Sequence, residues 1–331
     1  MRRSQLKQDD LLFSIAGTLG RTAVVENKDL PANTNQALAI VRLNSENTMR
    51  FIYFFLNLPK IKRRVYQILS VGAQPNLSLE QVGDFKISLP SLPEQQKIAD
   101  FLTVVDEKIG KSEEKKKGFE KYKKGAVQAI FSQKIRLKPD GENLAPRSLG
   151  EAGYPDWEEK KLYELEEEKQ IILGRGEVIS KEDIKNTPGD YPIYSSSVKR
   201  NGLFGKYGKY MFDEELITWS IDGGGHLFYR PKHKYSVTNV CGWLRVVGDS
   251  VNCNFLAKQL QYLHERKIFD YQMKAHPSVI RKMYKLNTPV LEEQEKIADF
   301  LTALDNKINL INNQLKQAKL FKKSLLQRMF V

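Results

Sequence analysis

The stretch Tyr194-Ser195-Ser196-Ser197-Val198-Lys199-Arg200-Asn201-Gly202 interleaves hydroxyls, an amide and two cations, with Lys206 and Lys209 close behind. Cations hold phosphate oxygens, and hydroxyl and amide groups pair with base edges, so this set suits contact with a nucleic acid. Arg230, Lys232 and Lys234 form a second basic group, and Lys60, Lys62, Arg63 and Arg64 a third. Each group also fits an ordinary solvated surface. The candidate contact residues are Ser195, Ser196, Ser197, Lys199, Arg200, Asn201, Lys206, Lys209, Arg230 and Lys232.

No constellation for bond-making chemistry accompanies them. The Asn/Asp-Pro-Pro-Tyr/Phe loop by which adenine methyltransferases grip a flipped base is absent. So is the Gly-x-x-x-x-Gly-Lys-Ser/Thr phosphate loop of nucleotide hydrolases. Asp156, Glu159, Lys160 and Lys161 have the residue types of a nuclease site but are crowded into one charged segment, which reads as solvated surface. Gly223-Gly224-Gly225 precedes the strand-like Leu227-Phe228-Tyr229, so a hairpin turn is expected there rather than a phosphate cradle. His226, His233, His264 and His276 with Cys241 and Cys253 show no paired ligand spacing. The expectation is a chain without catalytic residues and without a metal.

The net charge of +13 and isoelectric point near 9.4 favour a polyanionic partner, because each neutralised phosphate releases counterions. Two cysteines are too few for a disulfide framework, the N-terminal stretch is charged and holds no long apolar run, and no apolar run is long enough to span a bilayer. A cytoplasmic location without membrane contact is expected. With 41% hydrophobic residues the chain can bury real cores, and 331 residues exceed what one core usually holds.

The elements that must position these residues come twice. Glu94-Gln95-Gln96-Lys97-Ile98-Ala99-Asp100-Phe101-Leu102-Thr103 returns 199 residues later as Glu293-Gln294-Glu295-Lys296-Ile297-Ala298-Asp299-Phe300-Leu301-Thr302. Asp106 and Asp305, Pro90 and Pro289, and Phe131 and Phe330 keep the same offset. A register held this long marks an internal repeat. Apolar residues at Ile98, Leu102, Val105 and Ile109, and at Ile297, Leu301, Leu304, Ile308, Ile311 and Leu315, step by three and four as a heptad seam. Each stretch predicts a helix of about 38 residues, some 57 Å long at about 1.5 Å per residue, and two such helices in one chain satisfy each other's seams when antiparallel.

A fainter echo relates Leu11–Gly17 to Leu216–Gly223 and Thr34-Asn35 to Thr238-Asn239. Short apolar runs cut by glycine predict strands at Leu11–Ile15, Ala23–Val25, Leu38–Val41, Tyr191–Tyr194, Leu216–Trp219, Leu227–Tyr229 and Trp243–Val247. One short helix is expected in each module, near Met49–Ile68 and Asn254–Tyr271. The fold class is α+β: two modules alternating with two long helices that form an antiparallel coiled coil. The expected boundaries are a partial first module over 1–92, a helix over 93–135, a linker over 136–152, a second module over 153–291 and a helix over 292–331.

The Pro-x-x-Pro-Glu-Gln-x-Lys-Ile entry into the first helix, Pro90 to Ile98, and the Glu-Gln-x-Lys-Ile-Ala-x-Phe-Leu signature placed twice resemble the specificity subunits of type I restriction-modification systems. The resemblance covers essentially the whole chain. It implies that each module is a target recognition domain reading half of a gapped site in double-stranded DNA, with the coiled coil setting the spacing. It implies partners: methyltransferase subunits, two by resemblance, and a restriction or motor subunit. S-adenosylmethionine, ATP and Mg²⁺ would belong to those partners and no cofactor to this chain. The alternative is a truncated or silent relative acting only as a protein-binding scaffold.

One departure stands out. About fifty residues, Tyr154 to Lys206, precede the part of the second module that resembles residue 1 onward, so the first module is expected to lack its N-terminal half. Half a module should leave strand edges and apolar surface unpaired. A truncated product, a silent cassette and completion by another chain each account for it, with truncation or a cassette preferred.

Overall fold

The structure, a computed structural model, describes residues 4–43, 46–69, 76–138, 144–146, 153–197, 199–222, 225–267 and 274–330. The chain divides into two compact units, residues 1–117 with 309–331 and residues 118–308. Val198, Gly223, Gly224 and most of the expected linker lie outside the described residues.

In the first unit, β1 (Leu11–Ser14) lies between β2 (Thr22–Val24) and β3 (Leu38–Val41) and is antiparallel to both. Alternation puts Leu11 and Phe13 on the core face, fully buried, while Leu12 is only half-buried. Helices α1 (Glu46–Leu56), α2 (Pro59–Leu69) and α3 (Leu79–Gly83) follow, then α4 (Leu92–Phe131). A single helix was expected over Met49–Ile68, but the chain breaks between Asn57 and Pro59. Asn57 Nδ2 donates to Tyr53 O (2.8 Å) and Thr22 Oγ1 (2.6 Å), and Pro59 starts α2 where its missing N–H costs nothing. The core joins Phe13, Phe51, Phe54 and Val65 to Ala99 and Leu102 of α4.

The second unit opens with the pair β4 (Ile135–Leu137) and β5 (Leu144–Pro146), which falls mostly inside the span expected to be linker. There follow β6 (Glu158–Lys161), α5 (Leu162–Glu167), β7 (Ile171–Arg175), α6 (Lys181–Asn186), β8 (Tyr191–Tyr194), β9 (Leu203–Tyr207), β10 (Phe212–Ser220), β11 (Leu227–Val237) and β12 (Cys241–Val246). Then come α7 (Cys253–His264), α8 (Pro277–Met283), β13 (Lys285–Thr288) and α9 (Leu291–Met329). Six strands form one sheet in the order β7-β12-β10-β11-β8-β9, antiparallel throughout except for β8 beside β11, and β6 pairs separately with β13. Ile217, Trp219, Leu227 and Leu244 of one sheet face pack on Leu256 and Leu260 of α7, Ile280 of α8 and Leu165 of α5.

The two long helices pair antiparallel within each unit. In the first, Lys322 Nζ meets Asp106 (2.5 Å) and Lys319 Nζ meets Glu113 (2.6 Å). In the second, Lys123 meets Asp305, which also takes Lys258 Nζ (3.1 Å). Asp106 and Asp305, like Lys123 and Lys322, are related by the repeat, so one ion pair is written twice. Along the seam Leu102, Ile109, Ile297, Leu301, Leu304, Ile311 and Leu315 are buried, with Ile98, Val105 and Ile308 half-buried. Each buried Leu or Ile contributes about 1.5–3 kcal/mol at most. The helix ends close the two cores in the same manner: Phe330 packs on Phe51 at 4.7 Å, and Phe131 on Phe255 at 5.7 Å.

The sheets repeat as well. Leu11 occupies the place of Ile217, Phe13 that of Trp219 and Val41 that of Leu244, because the central strand pairs with its neighbours in the same register. The drifting sequence echo is thereby fixed. Leu77 N donates to Ile15 O as Ala275 N donates to Ile221 O, both at 2.8 Å. Arg42 chelates Asp10 (2.6 and 2.7 Å) as Arg245 chelates Glu214 (2.7 and 2.6 Å).

Candidate nucleic-acid interface

The sheet face of the second unit turned away from α7 carries Thr218, Phe228 and Arg230. Arg230 was singled out as a contact residue, but it is only 1% exposed. Its guanidinium lies between the rings of Tyr194 (3.7 Å to the centroid) and Phe228 (4.5 Å), donating from Nε to Thr218 Oγ1 (3.0 Å) and from Nη1 to Asn201 O (2.9 Å). Burial lowers its pKa to about 10, so it stays charged at neutral pH. No carboxylate is among these partners. Its charge is met by two π faces, a hydroxyl and a carbonyl, and its role is to hold the loop above it.

Above it, Lys199–Gly202 form a built turn. Arg200 (φ 52°), Asn201 (φ 56°) and Gly202 (φ +78°) follow one another in the left-handed region. Asn tolerates this and glycine favours it, whereas Arg200 is held there at a cost of about 1 kcal/mol. A Cβ on Gly202 would sit 2.9 Å from Arg230 Nη2 and 3.2 Å from Ser195 O, so only glycine lets the turn lie on the guanidinium. Ser195 N donates to Gly202 O (2.9 Å), Thr238 Oγ1 donates to Ser195 Oγ (3.1 Å), and Lys199 N donates to Ser197 Oγ (3.2 Å).

The candidates therefore separate. Ser197, Lys199, Arg200 and Asn201 have exposed side chains on the turn, Ser196 is half-buried beside them, and Ser195 is half-buried with its hydroxyl accepting from Thr238. Lys209 and Lys232 are exposed. Lys206 is exposed but paired with Asp190 at 2.7 Å, and that ion pair holds the Asp190 carboxyl below its ordinary pKa. Lys234 lies over the rings of Tyr210 (4.8 Å) and Tyr191 (5.8 Å), adding a cation-aromatic pair next to the basic set. Of the third group, Lys62, Arg63 and Arg64 are exposed, whereas Lys60 Nζ donates to Phe330 O (2.7 Å) at the end of α9.

Sequence reasoning missed the residues beneath the loop. His233 donates from Nδ1 to Pro231 O (2.6 Å) and places Nε2 at 3.1 Å from Tyr194 OH. Its ring stacks on Tyr235 at 4.5 Å, which fixes Tyr194 and hence Arg230. The one signal for this was the interleaving of aromatics and cations along Phe228–Tyr235. Arg136 was missed too, lying in the supposed linker. It is buried and chelates Glu293, fully buried, through Nε (2.9 Å) and Nη2 (2.5 Å), while Trp157 Nε1 donates to the same carboxylate (3.1 Å).

Cys241 and Cys253 are both buried, and burial pushes the Cys241 thiol up to about 11, so it is unreactive at neutral pH. No described helix is long and apolar enough to cross a membrane.

Comparison with known proteins agrees with this arrangement. The family described as the type I restriction modification DNA specificity domain matches residues 3–120 and 154–320, that is, both copies of the repeat. A Mycoplasma pneumoniae protein named as a type I specificity subunit is 30% identical over 239 residues, covering 71% of this chain and 81% of its own length. The specificity subunit of the type I restriction enzyme MpnII, from the same organism, is 34% identical over 158 residues, 46% of this chain and 47% of that one. The crystal structure of a type I restriction-modification S subunit from M. genitalium superposes with a TM-score of 0.71 at 16% identity, over 100% of this chain and 85% of that one, a likeness of fold. With the family matched across both units and the same repeated architecture in its solved relative, the chain belongs to the DNA specificity subunits of type I restriction-modification systems.

Proposed function

We propose that this chain reads double-stranded DNA with the turn Lys199–Asn201 of the second unit and directs adenine methyltransferase subunits to the site. The observation that carries the reading is the exposed left-handed turn held from below by the buried Arg230. A turn held through Asn201 O and presenting Lys199, Arg200 and Asn201 has less to order on meeting a base edge. Lys209 and Lys232 would take phosphates, which fix position without reading sequence.

Two methyltransferase subunits fit the chain better than one. Tyr122 and Phe321, equivalent under the repeat, are exposed aromatics at 51% and 54% on α4 and α9, one in each unit. Large exposed rings at related positions suit two copies of one partner. S-adenosylmethionine would come with those subunits, and ATP and Mg²⁺ with a motor subunit.

Binding of the purified chain with its methyltransferase to a selected duplex, followed over a salt series, tests the loop. Lys199→Ala or Arg200→Ala should weaken binding by about 1–3 kcal/mol, selectively for one base pair if the contact is to a base edge. A phosphate contact should instead flatten the log–log salt slope by about one. Unchanged affinity and slope in both variants would remove the loop from the reading.

A further inference from the structure

We infer that Phe204 is an apolar wedge that enters the base stack of duplex DNA beside the turn, making a flexible base step part of what the second unit reads. The inference rests on DNA contact by the Lys199–Asn201 turn and adds to it a contact of another kind. Phe204 is a large apolar side chain left 51% exposed, two residues after Gly202. A single exposed apolar residue is ordinary in itself. What sets this one apart is the backbone that carries it. Leu203 is the Cα partner of Tyr194 and Gly205 that of Ile193, so Phe204 has none and is the extra residue of a β-bulge. Bulges bend a strand and re-aim a side chain, and this one lies on β9, the edge of the six-stranded sheet.

The pairing also gives the direction. Lys206 stands opposite Pro192, on the face of β8 that Tyr194 shares, and alternation puts Phe204 on that face two residues earlier. Tyr194 is the ring that lies on the Arg230 guanidinium, so Phe204 emerges on the sheet face that carries the turn. Exposure follows the same alternation, with Phe204 and Lys206 exposed and Gly205 and Tyr207 half-buried. The chain on either side is cationic: Lys199 and Arg200 come before Phe204, and Lys206 and Lys209 after it, all exposed, Lys206 being paired with Asp190 at 2.7 Å. A protein covering the ring would strip water from these cations, and charges are depleted at the centre of protein interfaces for that reason. Duplex DNA meets both needs, with phosphates for the cations and the faces of stacked bases for the ring. Phenylalanine is among the side chains that enter a base step, and entry is easiest at TA and CA/TG steps, which unstack readily. Phe204 thus reads deformability at a step beside the bases that the turn contacts, without a hydrogen bond to either base pair.

The experiment uses the full chain in complex with its methyltransferase, at saturating concentration, on duplexes of the methylated site in which 2-aminopurine replaces one base at a time. The fluorescence of 2-aminopurine rises when its neighbours unstack. One position should brighten because the methyltransferase flips its target adenine, and a second, at a pyrimidine–purine step, because Phe204 opens it. Phe204→Ala should lose the second signal, keep the first and weaken binding about tenfold. Its log–log salt slope should not change, since no phosphate contact is lost. Phe204→Leu, still a wedge, should retain both signals. The half-exposed side chain makes Phe204→Ala safe for the fold, and an unchanged melting temperature checks this. A site-selective complex in which only the target adenine brightens overturns the wedge and leaves the turn in place, as does a second signal that survives Phe204→Ala. If Phe204→Ala instead prevents the methyltransferase from binding in the absence of DNA, the ring is a protein contact and the wedge is overturned. A complex that selects no site removes DNA reading by the second unit, and the wedge with it.

Discussion

Glu94 and Glu293 show how one residue in a repeated motif takes two fates. Both open a long helix where negative charge meets the positive end of the helix dipole, but only Glu293 is buried, held by Arg136 and Trp157. Glu293→Ala should cost about 3–5 kcal/mol, because it leaves the Arg136 guanidinium buried without its counter-ion. Glu94→Ala should stay within about 0.5 kcal/mol. Urea unfolding followed by tryptophan fluorescence separates the two, and equal losses would contradict the assignment. Asp10 allows a test by pH. Burial pushes its pKa up, but the hydrogen bonds from Arg42 and from Lys7 N outweigh this and hold the carboxyl below its ordinary value. The stability Asp10 contributes should be fully present above its unfolded pKa near 3.8 and lost as pH falls through the lower folded value. In Asp10→Asn that part of the acid dependence should vanish from a thermal melt series. At this scale the sequence was least legible. Lys199 and Arg200 could be picked out by type, but Arg230 reads as one more surface cation, since its burial depends on Tyr194, Phe228 and Asn201, brought in from separate elements.

At the scale of elements the repeat was legible because a heptad seam and an offset of 199 residues are local patterns that need no knowledge of tertiary contacts. The α1–α2 break was also written in the sequence, in Pro59, although the apolar spacing runs through it. Strand edges were not legible in detail, since β3 and β12 have similar apolar runs and differ only in what lies beside them. Pairing of the long helices is open to a charge test. Asp106→Lys should lower the melting temperature through a loss of about 0.5–1 kcal/mol, and adding Lys322→Asp should restore most of it. A double variant as unstable as the sum of the singles would mean that these two residues do not face each other. The same exchange at Lys123 and Asp305 should be coupled to Lys258, which shares the carboxylate.

For the whole molecule, each unit contains the start of one long helix and the end of the other, so both cores depend on both copies of the repeat. A chain built this way ties each globular core to the helical frame, which suits the proposed role of positioning a methyltransferase on DNA. The direct test of the central claim is a genome-wide map of methyladenine in a methylation-free host, with this chain co-expressed beside a type I methyltransferase subunit. The wild-type chain should yield a defined motif, and replacing Ser195–Asn201 by a loop of other sequence should change bases in one part of that motif while methylation continues. The same motif from both chains, or a stable complex that methylates nothing, would contradict the claim that this loop reads DNA.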